Sequence, residues 1–205
     1  MFSSELWRWR SARATVKVGN VNVLNQTTLG WTTILSNTIK TANQKDLFID
    51  VSLETGLYSQ TEVKSRGGNK DTSSAAATIK VQVLVDGVPA YPGDVVFDRR
   101  SQTLSATLGG ILSNCTDSNL DGDIDLSDCS LIDEEIELIL DTMTANSFNF
   151  IIDDLRSGEH LVEVQAMISS NSASGSGSAS ANATIGNGSV TVEEVRLIKD
   201  EDIQL

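Results

Sequence analysis

The feature that most constrains the fold of this chain is the alternation of apolar and polar residues with a period of two. Ile79, Val81 and Val83 are separated by polar residues, and residues 161–167 repeat the pattern. Successive side chains of a β-strand point to opposite faces of a sheet. This spacing therefore predicts strands that each bury one face.

Short clusters of Gly, Asn, Asp and Ser separate these runs, which is typical of turns, and Asp86-Gly87 predicts a tight hairpin. Nine strands are predicted, over residues 15–24, 32–40, 47–58, 76–86, 94–99, 102–108, 147–152, 160–168 and 189–198. So many strands with short connections predict a mostly β fold, either an antiparallel β-sandwich or a jelly roll. We expect a single domain over residues 15–205, with an insertion at 113–146, after a basic aromatic segment at 1–14.

Residues 131–144 break the alternation. Their apolar residues recur at helical spacing and fall on one stripe; they are Ile132, Ile136, Ile139, Leu140 and Met143. Three acidic residues at 133–135 would favour the positive N-terminal end of a helix. The segment therefore predicts one amphipathic helix within the insertion, packed on the sandwich.

Residues 169–189 are rich in Ser, Gly, Ala and Asn. This composition is typical of a flexible linker or loop. Small residues that alternate through 178–184 also fit an extended, flat edge strand. The sequence leaves both interpretations open.

Residues 117–128 place oxygen-bearing side chains at the spacing of a calcium-binding loop. Those at loop positions one, three, five, nine and twelve are Asp117, Asn119, Asp121, Asp125 and Asp128. Gly122 holds position six, where the chain must turn sharply, and Asp123 would offer its backbone carbonyl. Ile124 at position eight is expected to be an apolar anchor. A hard cation prefers such an oxygen-rich loop, so we predict one Ca²⁺; the simpler alternative is an acidic surface turn.

These twelve residues resemble an EF-hand loop, and especially its dockerin variant, in which Asp closes the loop and Asn often holds position three. The resemblance implies that the same positions ligate calcium. It does not extend to cohesin binding, because dockerins carry two such loops and this chain has one. An entering helix is also missing, since residues 103–113 are rich in Thr, Ser and Gly.

The only two cysteines, Cys115 and Cys129, flank the loop. Their positions favour a disulfide, which would contribute about 3 kcal/mol in the chain-entropy model and stiffen the loop. Two free thiols in a reducing compartment are the alternative.

The compartment is predicted to be extracellular or cell-surface. The opening residues lack an apolar signal core, which taken alone favours the cytosol. The paired cysteines and the calcium loop favour the exterior. So do four glycosylation sequons, which begin at Asn25, Asn114, Asn182 and Asn187.

The charge balance excludes several classes of partner. Lys and Arg total 15 against 28 Asp and Glu, and the net charge is −13. That field repels nucleic acid and anionic membranes, and no apolar stretch is long enough to span a bilayer. No catalytic motif is present, and we expect a surface or structural role for His160, the single histidine. The chain is therefore expected not to be an enzyme.

Two functions remain. One is a structural subunit that assembles head to tail outside the cell, because Trp7, Arg8, Trp9 and Arg10 form a basic aromatic start in an acidic chain. The run at 15–24 could then lie in a neighbour's sheet, although the start could also pack on its own domain. The architecture is similar to jelly-roll subunits of extracellular filaments, such as camelysin-type fibres and archaeal cannula or bundling-pilus subunits. The alternative is a calcium-dependent module that binds carbohydrate or protein.

Overall fold

A computed structural model describes residues 13–24 and 27–197. Eleven antiparallel strands form the described part of the chain: β1 (Ala14–Leu24), β2 (Thr32–Thr41), β3 (Lys45–Ser65), β4 (Lys70–Val85), β5 (Val88–Pro89), β6 (Val95–Thr107), β7 (Ile111–Ser113), β8 (Ser130–Ile132), β9 (Glu134–Leu155), β10 (Gly158–Ser174) and β11 (Ala179–Val195). A short 3₁₀ turn, Leu126–Asp128, precedes β8. The mostly β fold predicted from the alternation is therefore confirmed.

Two sheets pack face to face. The first has the strand order β1, β11, β3, β9. In the second, β2 pairs with β10 and β10 with β4, and the other edge of β4 pairs with both β5 and β6. The strands β7 and β8 form a separate two-stranded ribbon. The predicted hairpin at Asp86-Gly87 is confirmed, since both residues have positive φ and Val85 pairs with Val88.

The core lies between the sheets, and its composition changes along them. Near the start of β3 the inward side chains are apolar and fully buried, for example Ile49 and Val51. Further along β3 the buried positions include Ser59 and Thr61. The side chain of Gln102 on β6 bonds to both of them, at 2.8 Å and 2.5 Å. The end of the sandwich that includes the second half of β3 is therefore held by polar contacts.

The predicted amphipathic helix at 131–144 is wrong. This segment forms β8 and the first half of β9, and β9 pairs with β3 in an unbroken register from Glu134 opposite Ser65 to Ile152 opposite Leu47. The apolar spacing also fits alternation, since Ile136, Leu138 and Leu140 share one face of the strand. Pairing along the whole of β3 outweighs a helical stripe that would satisfy only its own backbone. Residues 134–146 consequently belong to the first sheet rather than to the insertion.

Two other expectations need correction. The predicted strands at 94–99 and 102–108 are one continuous strand, β6. Most of the serine-rich stretch at 169–189 is strand and not linker, because it continues β10 and begins β11. The other interpretation, an extended edge strand at 178–184, fits better: residues 179–184 pair with β3 on one side, whereas the pairing of β1 with β11 reaches only Ile185 in the described residues.

No helix in the described ranges is long and apolar enough to cross a membrane.

Candidate metal centre

The predicted calcium loop lies at the end of a projecting arm. The arm begins with the β7–β8 ribbon, in which Ser113 lies opposite Ser130. Immediately beyond this pair, Cys115 and Cys129 form a disulfide with a Cα–Cα distance of 4.0 Å. The predicted disulfide is therefore confirmed, and residues 116–128 form a covalently closed loop.

The base of the arm is fixed to the turn between β3 and β4. The Arg66 guanidinium donates to the carbonyl of Leu131 at 3.0 Å and lies 3.4 Å from Asp133. On the other side of the ribbon, the Gly110 N–H donates to the Glu134 carboxylate at 2.8 Å. These contacts orient the arm, whereas the disulfide closes the loop at its end.

In the first half of the loop, side-chain oxygens accept hydrogen bonds from the loop's own backbone. The two Asp117 oxygens accept from the N–H groups of Asp121 and Gly122, at 3.2 Å and 2.9 Å. Asn119 Oδ1 accepts from Asp121 N–H at 3.0 Å. Asp121 Oδ1 accepts from Asp123 N–H at 2.9 Å. The predicted ligand residues at positions one, three and five therefore fold inward around the turn.

In the second half, Asp128 is the buried carboxylate of the loop. Its Oδ1 accepts from the hydroxyl and N–H of Ser118, at 2.7 Å and 3.0 Å, and its Oδ2 accepts from Asp125 N–H at 3.2 Å. The Ser118 hydroxyl, then its N–H, hold the pKa of Asp128 below its ordinary value. Hydrogen bonds from Ser127 lower the pKa of Asp125 in the same way. Both carboxylates are thus held in their charged form.

Two expectations about loop geometry have different outcomes. Gly122 has φ of 92°, so position six adopts the left-handed backbone that glycine tolerates best, as predicted. Ile124 does not act as an apolar anchor, because it is 63% exposed. The expectation was wrong because a single loop on a ribbon offers position eight no second loop or helix to pack against. Ser118 and Ser127, which the spacing did not single out, donate hydrogen bonds to the two carboxylates in the second half of the loop.

The donor set fits a hard cation, since every side chain at the ligand positions offers oxygen and none offers sulfur or nitrogen only. Within residues 13–24 and 27–197, no group of three or more Asp, Glu, His or Cys side chains is gathered as in a preformed metal site. The loop carboxylates bond to backbone N–H groups instead. A carboxylate has about four lone-pair positions, so these bonds leave capacity for a cation.

His160 lies elsewhere, at the start of β10, and it is buried. Its Nδ1 lies 2.7 Å from Asp86 Oδ2, and its Nε2 lies 2.9 Å from the Arg156 carbonyl and 3.2 Å from the Thr41 hydroxyl. Burial by itself would lower the pKa of His160, but the Asp86 and Arg156 contacts outweigh it and raise the pKa above its ordinary value. The ring therefore connects three chain segments within the fold.

Comparison with known proteins gives no family. No family model matches the chain, and no curated protein does. Among solved structures, the chain is similar to one from infectious bursal disease virus, Gx strain, at 11% identity and a TM-score of 0.27 over 91% of this chain. A second, the T13 particle of the same virus, gives 10% identity and a TM-score of 0.17 over 90% of this chain. This chain spans 38% and 39% of those viral chains. Such TM-scores carry no structural or functional argument.

Proposed function

We propose that this chain is an extracellular structural subunit that binds one Ca²⁺ in the loop 117–128 and assembles head to tail into a filament or matrix. The observation that carries the calcium part is the inward fold of the Asp117, Asp121, Asp125 and Asp128 carboxylates, which accept hydrogen bonds from N–H groups of the same loop. The residues proposed to hold the ion are those at the expected positions: the side chains of Asp117, Asn119, Asp121, Asp125 and Asp128, with the backbone carbonyl of Asp123.

The ion would supply positive charge to a loop that carries five aspartates. Without it, close carboxylates repel one another and favour a more open loop. The hydrogen bonds from Ser118 and Ser127 offset part of that repulsion and pre-orient two carboxylates. Because loop closure by the disulfide reduces the conformational freedom lost on binding, both features support calcium affinity.

The disulfide favours an oxidising compartment over the cytosol. An exterior rich in calcium would keep a loop of modest affinity loaded, as it does for extracellular calcium modules. These two considerations support the extracellular assignment.

The assembly part depends on the N-terminal residues Trp7, Arg8, Trp9 and Arg10, which lie outside the described residues. Three acidic residues near the other end of the sequence, at 200–202, lie outside them as well. The strand at 15–24 pairs with β11 of its own chain, so its pairing groups on that side are occupied within the molecule. The donated segment is therefore proposed to precede β1. No catalytic role is part of this proposal.

Isothermal titration calorimetry on the purified chain tests the calcium part. We expect wild type to bind one Ca²⁺ and Asp121→Ala to lose that site, because the substitution removes a ligand at position five. Asp123→Ala is the matched control, since only the backbone carbonyl of Asp123 is proposed to contact the ion. Equal binding by wild type and Asp121→Ala would show that the loop is an acidic turn.

One observation favours the alternative, a calcium-dependent protein-binding module. Leu120, Ile124 and Leu126 on the loop are 86%, 63% and 75% exposed. Large apolar side chains grouped on a projecting loop are typical of recognition surfaces. The two functions differ in solution behaviour: a binding module stays monomeric at all calcium concentrations, whereas a structural subunit polymerises, and sedimentation velocity separates them.

A further inference from the structure

The strand β9 forms an open edge of the first sheet. It pairs with β3 on one side, and along residues 136–143 no strand of the described ranges pairs with its other side; further along, Ile151 pairs with Tyr91. Five of the eight residues from 136 to 143 are apolar. Their exposed fractions are 39–66%, for Ile136, Leu138, Ile139, Leu140 and Met143. A long apolar edge of this kind is a template for pairing with another chain.

The backbone of this edge has identifiable unpaired groups. Ile151 donates to the Tyr91 carbonyl at 3.0 Å and accepts from the Tyr91 N–H at 2.7 Å, so its N–H and C=O point away from β3. The register with β3 is unbroken from Ile152 back to Glu134. Because these directions alternate along a strand, the odd-numbered residues, including Ile139, also direct their N–H and C=O groups outward. These outward N–H and C=O groups can form backbone hydrogen bonds with an added strand.

The two faces of the edge differ in chemistry. The Thr142 hydroxyl bonds to Arg100 on β6, and the Thr144 hydroxyl donates to Asp98 at 3.4 Å. Even-numbered side chains of β9 therefore face the second sheet, and this face presents Ile136, Leu138 and Leu140. The opposite face carries acidic residues at odd positions, namely Glu135, Glu137 and Asp141.

The N-terminal segment has the complementary alternation. In an extended chain, Trp7 and Trp9 fall on one face and Arg8 and Arg10 on the other. If this segment pairs with the open edge of β9, its indole rings can pack on the apolar face of β9. Its guanidinium groups then lie on the side of Glu137 and Asp141. Opposite charges on paired strands stabilise, whereas two β9 edges would bring like charges together. The edge thus favours a basic aromatic strand over a copy of itself.

The segment must come from another molecule. Ala14 lies opposite Glu193, and Glu193 lies opposite Phe48. Phe48 in turn lies opposite Ile151, so Ala14 and Ile151 stand at the same end of the first sheet. From Ile151 to Leu140 the distance along β9 is about 36 Å. The chain from Ala14 back to Trp7 extends at most about 25 Å, so it cannot reach its own open edge.

We propose that the open edge of β9, residues 136–143, binds the segment that contains Trp7, Arg8, Trp9 and Arg10 from a second copy of the chain. The tryptophans pack on the face toward the second sheet, and the arginines pair with Glu137 and Asp141. This inference rests on the proposed head-to-tail assembly and identifies its acceptor surface. Because donor and acceptor are different surfaces of one molecule, the contact repeats and does not close by itself.

The test uses full-length chains in calcium-containing buffer, followed by sedimentation velocity. Two acceptor variants are Leu138→Lys, which places a charge on the apolar face, and Ile139→Pro, which removes an outward N–H without breaking a bond to β3. Leu29→Lys is the matched control, because Leu29 is fully exposed in the turn before β2. The donor variant carries Trp7→Ser and Trp9→Ser together.

We expect wild type and Leu29→Lys to polymerise alike, and each acceptor variant to raise the critical concentration about tenfold or more. An acceptor variant mixed with the donor variant should give a one-to-one dimer and nothing larger, because one intact donor meets one intact acceptor. Thermal melting checks that each variant folds. If either acceptor variant melts early, Glu137→Lys with Asp141→Lys replaces it, with rescue by Arg8→Glu and Arg10→Glu in the same chain.

The outcomes separate the two proposals. Well-folded acceptor variants that polymerise like wild type would overturn the β9 edge as acceptor and leave assembly standing through another surface. A wild type that stays monomeric with calcium present would overturn the proposed assembly and this acceptor with it.

Discussion

Among single residues, His160 is held by polar contacts at both nitrogens of its ring. Both ring nitrogens lie within hydrogen-bond distance of acceptors that the folded state provides, Asp86 Oδ2 and the Arg156 carbonyl. Only the imidazolium donates from both nitrogens at once. The fold therefore favours the protonated ring, and the pKa of His160 is raised above 6.5 despite burial.

We predict that the stability contributed by this residue is lost as the pH rises above about 6.5. Because the folded-state pKa is raised, the stabilisation is fully present below the unfolded pKa of about 6.5 and is lost as pH rises through the folded pKa. His160 is the single histidine, so an NMR titration of its ring is unambiguous. In Asp86→Asn, burial should dominate and the pKa should fall below that of wild type. A wild-type pKa at or below 6.5 would contradict the prediction.

Asp71 has a comparable role for a carboxylate. It is buried, and it accepts backbone hydrogen bonds from Lys64 at 2.9 Å, Ser176 at 2.9 Å and Gly177 at 3.1 Å. The Lys64 and Ser176 N–H groups lower the pKa of Asp71. One carboxylate thus connects the facing ends of β3 and β4, which lie in opposite sheets, to the turn between β10 and β11.

We predict that Asp71→Asn lowers the melting temperature by several degrees, because a neutral amide accepts these bonds less strongly and brings donors of its own. The wild-type contribution is present above pH about 3.9 and is lost as pH falls through the lowered folded pKa. Asp94→Asn is the control, since Asp94 is an exposed partner of Lys80 and exposed pairs contribute little. Equal melting of all three proteins near pH 7 would contradict this role.

The sequence could identify some of these residues and not others. The sequence singled out the carboxylates of the loop 117–128, and their backbone N–H partners lie within the same twelve residues. Calcium binding by these residues stays a prediction. Asp71 was not singled out, because Ser176 and Gly177 become its neighbours only after β10 has paired with β4 and β11 with β3. For His160 the sequence indicated only a surface or structural role, without its partner Asp86.

At the scale of elements, the main error concerned residues 131–144. Ile132, Ile136, Ile139 and Leu140 fit a helical stripe, yet Ile136, Leu138 and Leu140 also fit the alternation of a strand. Periodicity within so short a segment does not decide between the two. The outcome depends on the length of β3. Its edge extends as far as Ser65, and this edge would stay unpaired if residues 134–144 formed a helix. That length follows from tertiary pairing and is not visible in the segment itself.

The arm gives a prediction at the same scale. We expect Cys115→Ser to weaken calcium affinity and to lower the free energy of unfolding by about 3 kcal/mol at most, because the loop loses its covalent closure. Excess chelator should lower the wild-type melting temperature, since calcium that binds only the folded state stabilises it with the logarithm of its free concentration. Calorimetry and melting curves with and without chelator measure both effects. Unchanged melting with chelator would show that calcium does not stabilise the fold.

For the molecule as a whole, the alternation was sufficient to predict a sandwich, whereas strand order and the polar end of the interior were not predictable. Apolar faces specify that two sheets pack, but not which strands are neighbours. The contacts of Gln102 with Ser59 and Thr61 depend on β6 lying across β3 in the opposite sheet. This polar end also coincides with the exposed half of β9, where apolar side chains are not covered by any of the described residues.

Deletion of residues 1–12 tests assembly at this scale. Arg13 should be kept, because its carbonyl accepts from Glu194 N–H and its guanidinium donates to the Lys40 carbonyl at 3.0 Å. The sandwich and the arm both lie within the described residues after this point, so the truncated protein should fold and bind calcium as wild type does.

The truncated protein should nevertheless stay monomeric. Burial of Trp7 and Trp9 on a partner would contribute on the order of 2–3 kcal/mol each, and the deletion removes both. Light scattering and electron microscopy with calcium present compare the two proteins. If the truncated chain still polymerises, assembly depends on another surface, and the exposed apolar residues of the loop become the next candidate.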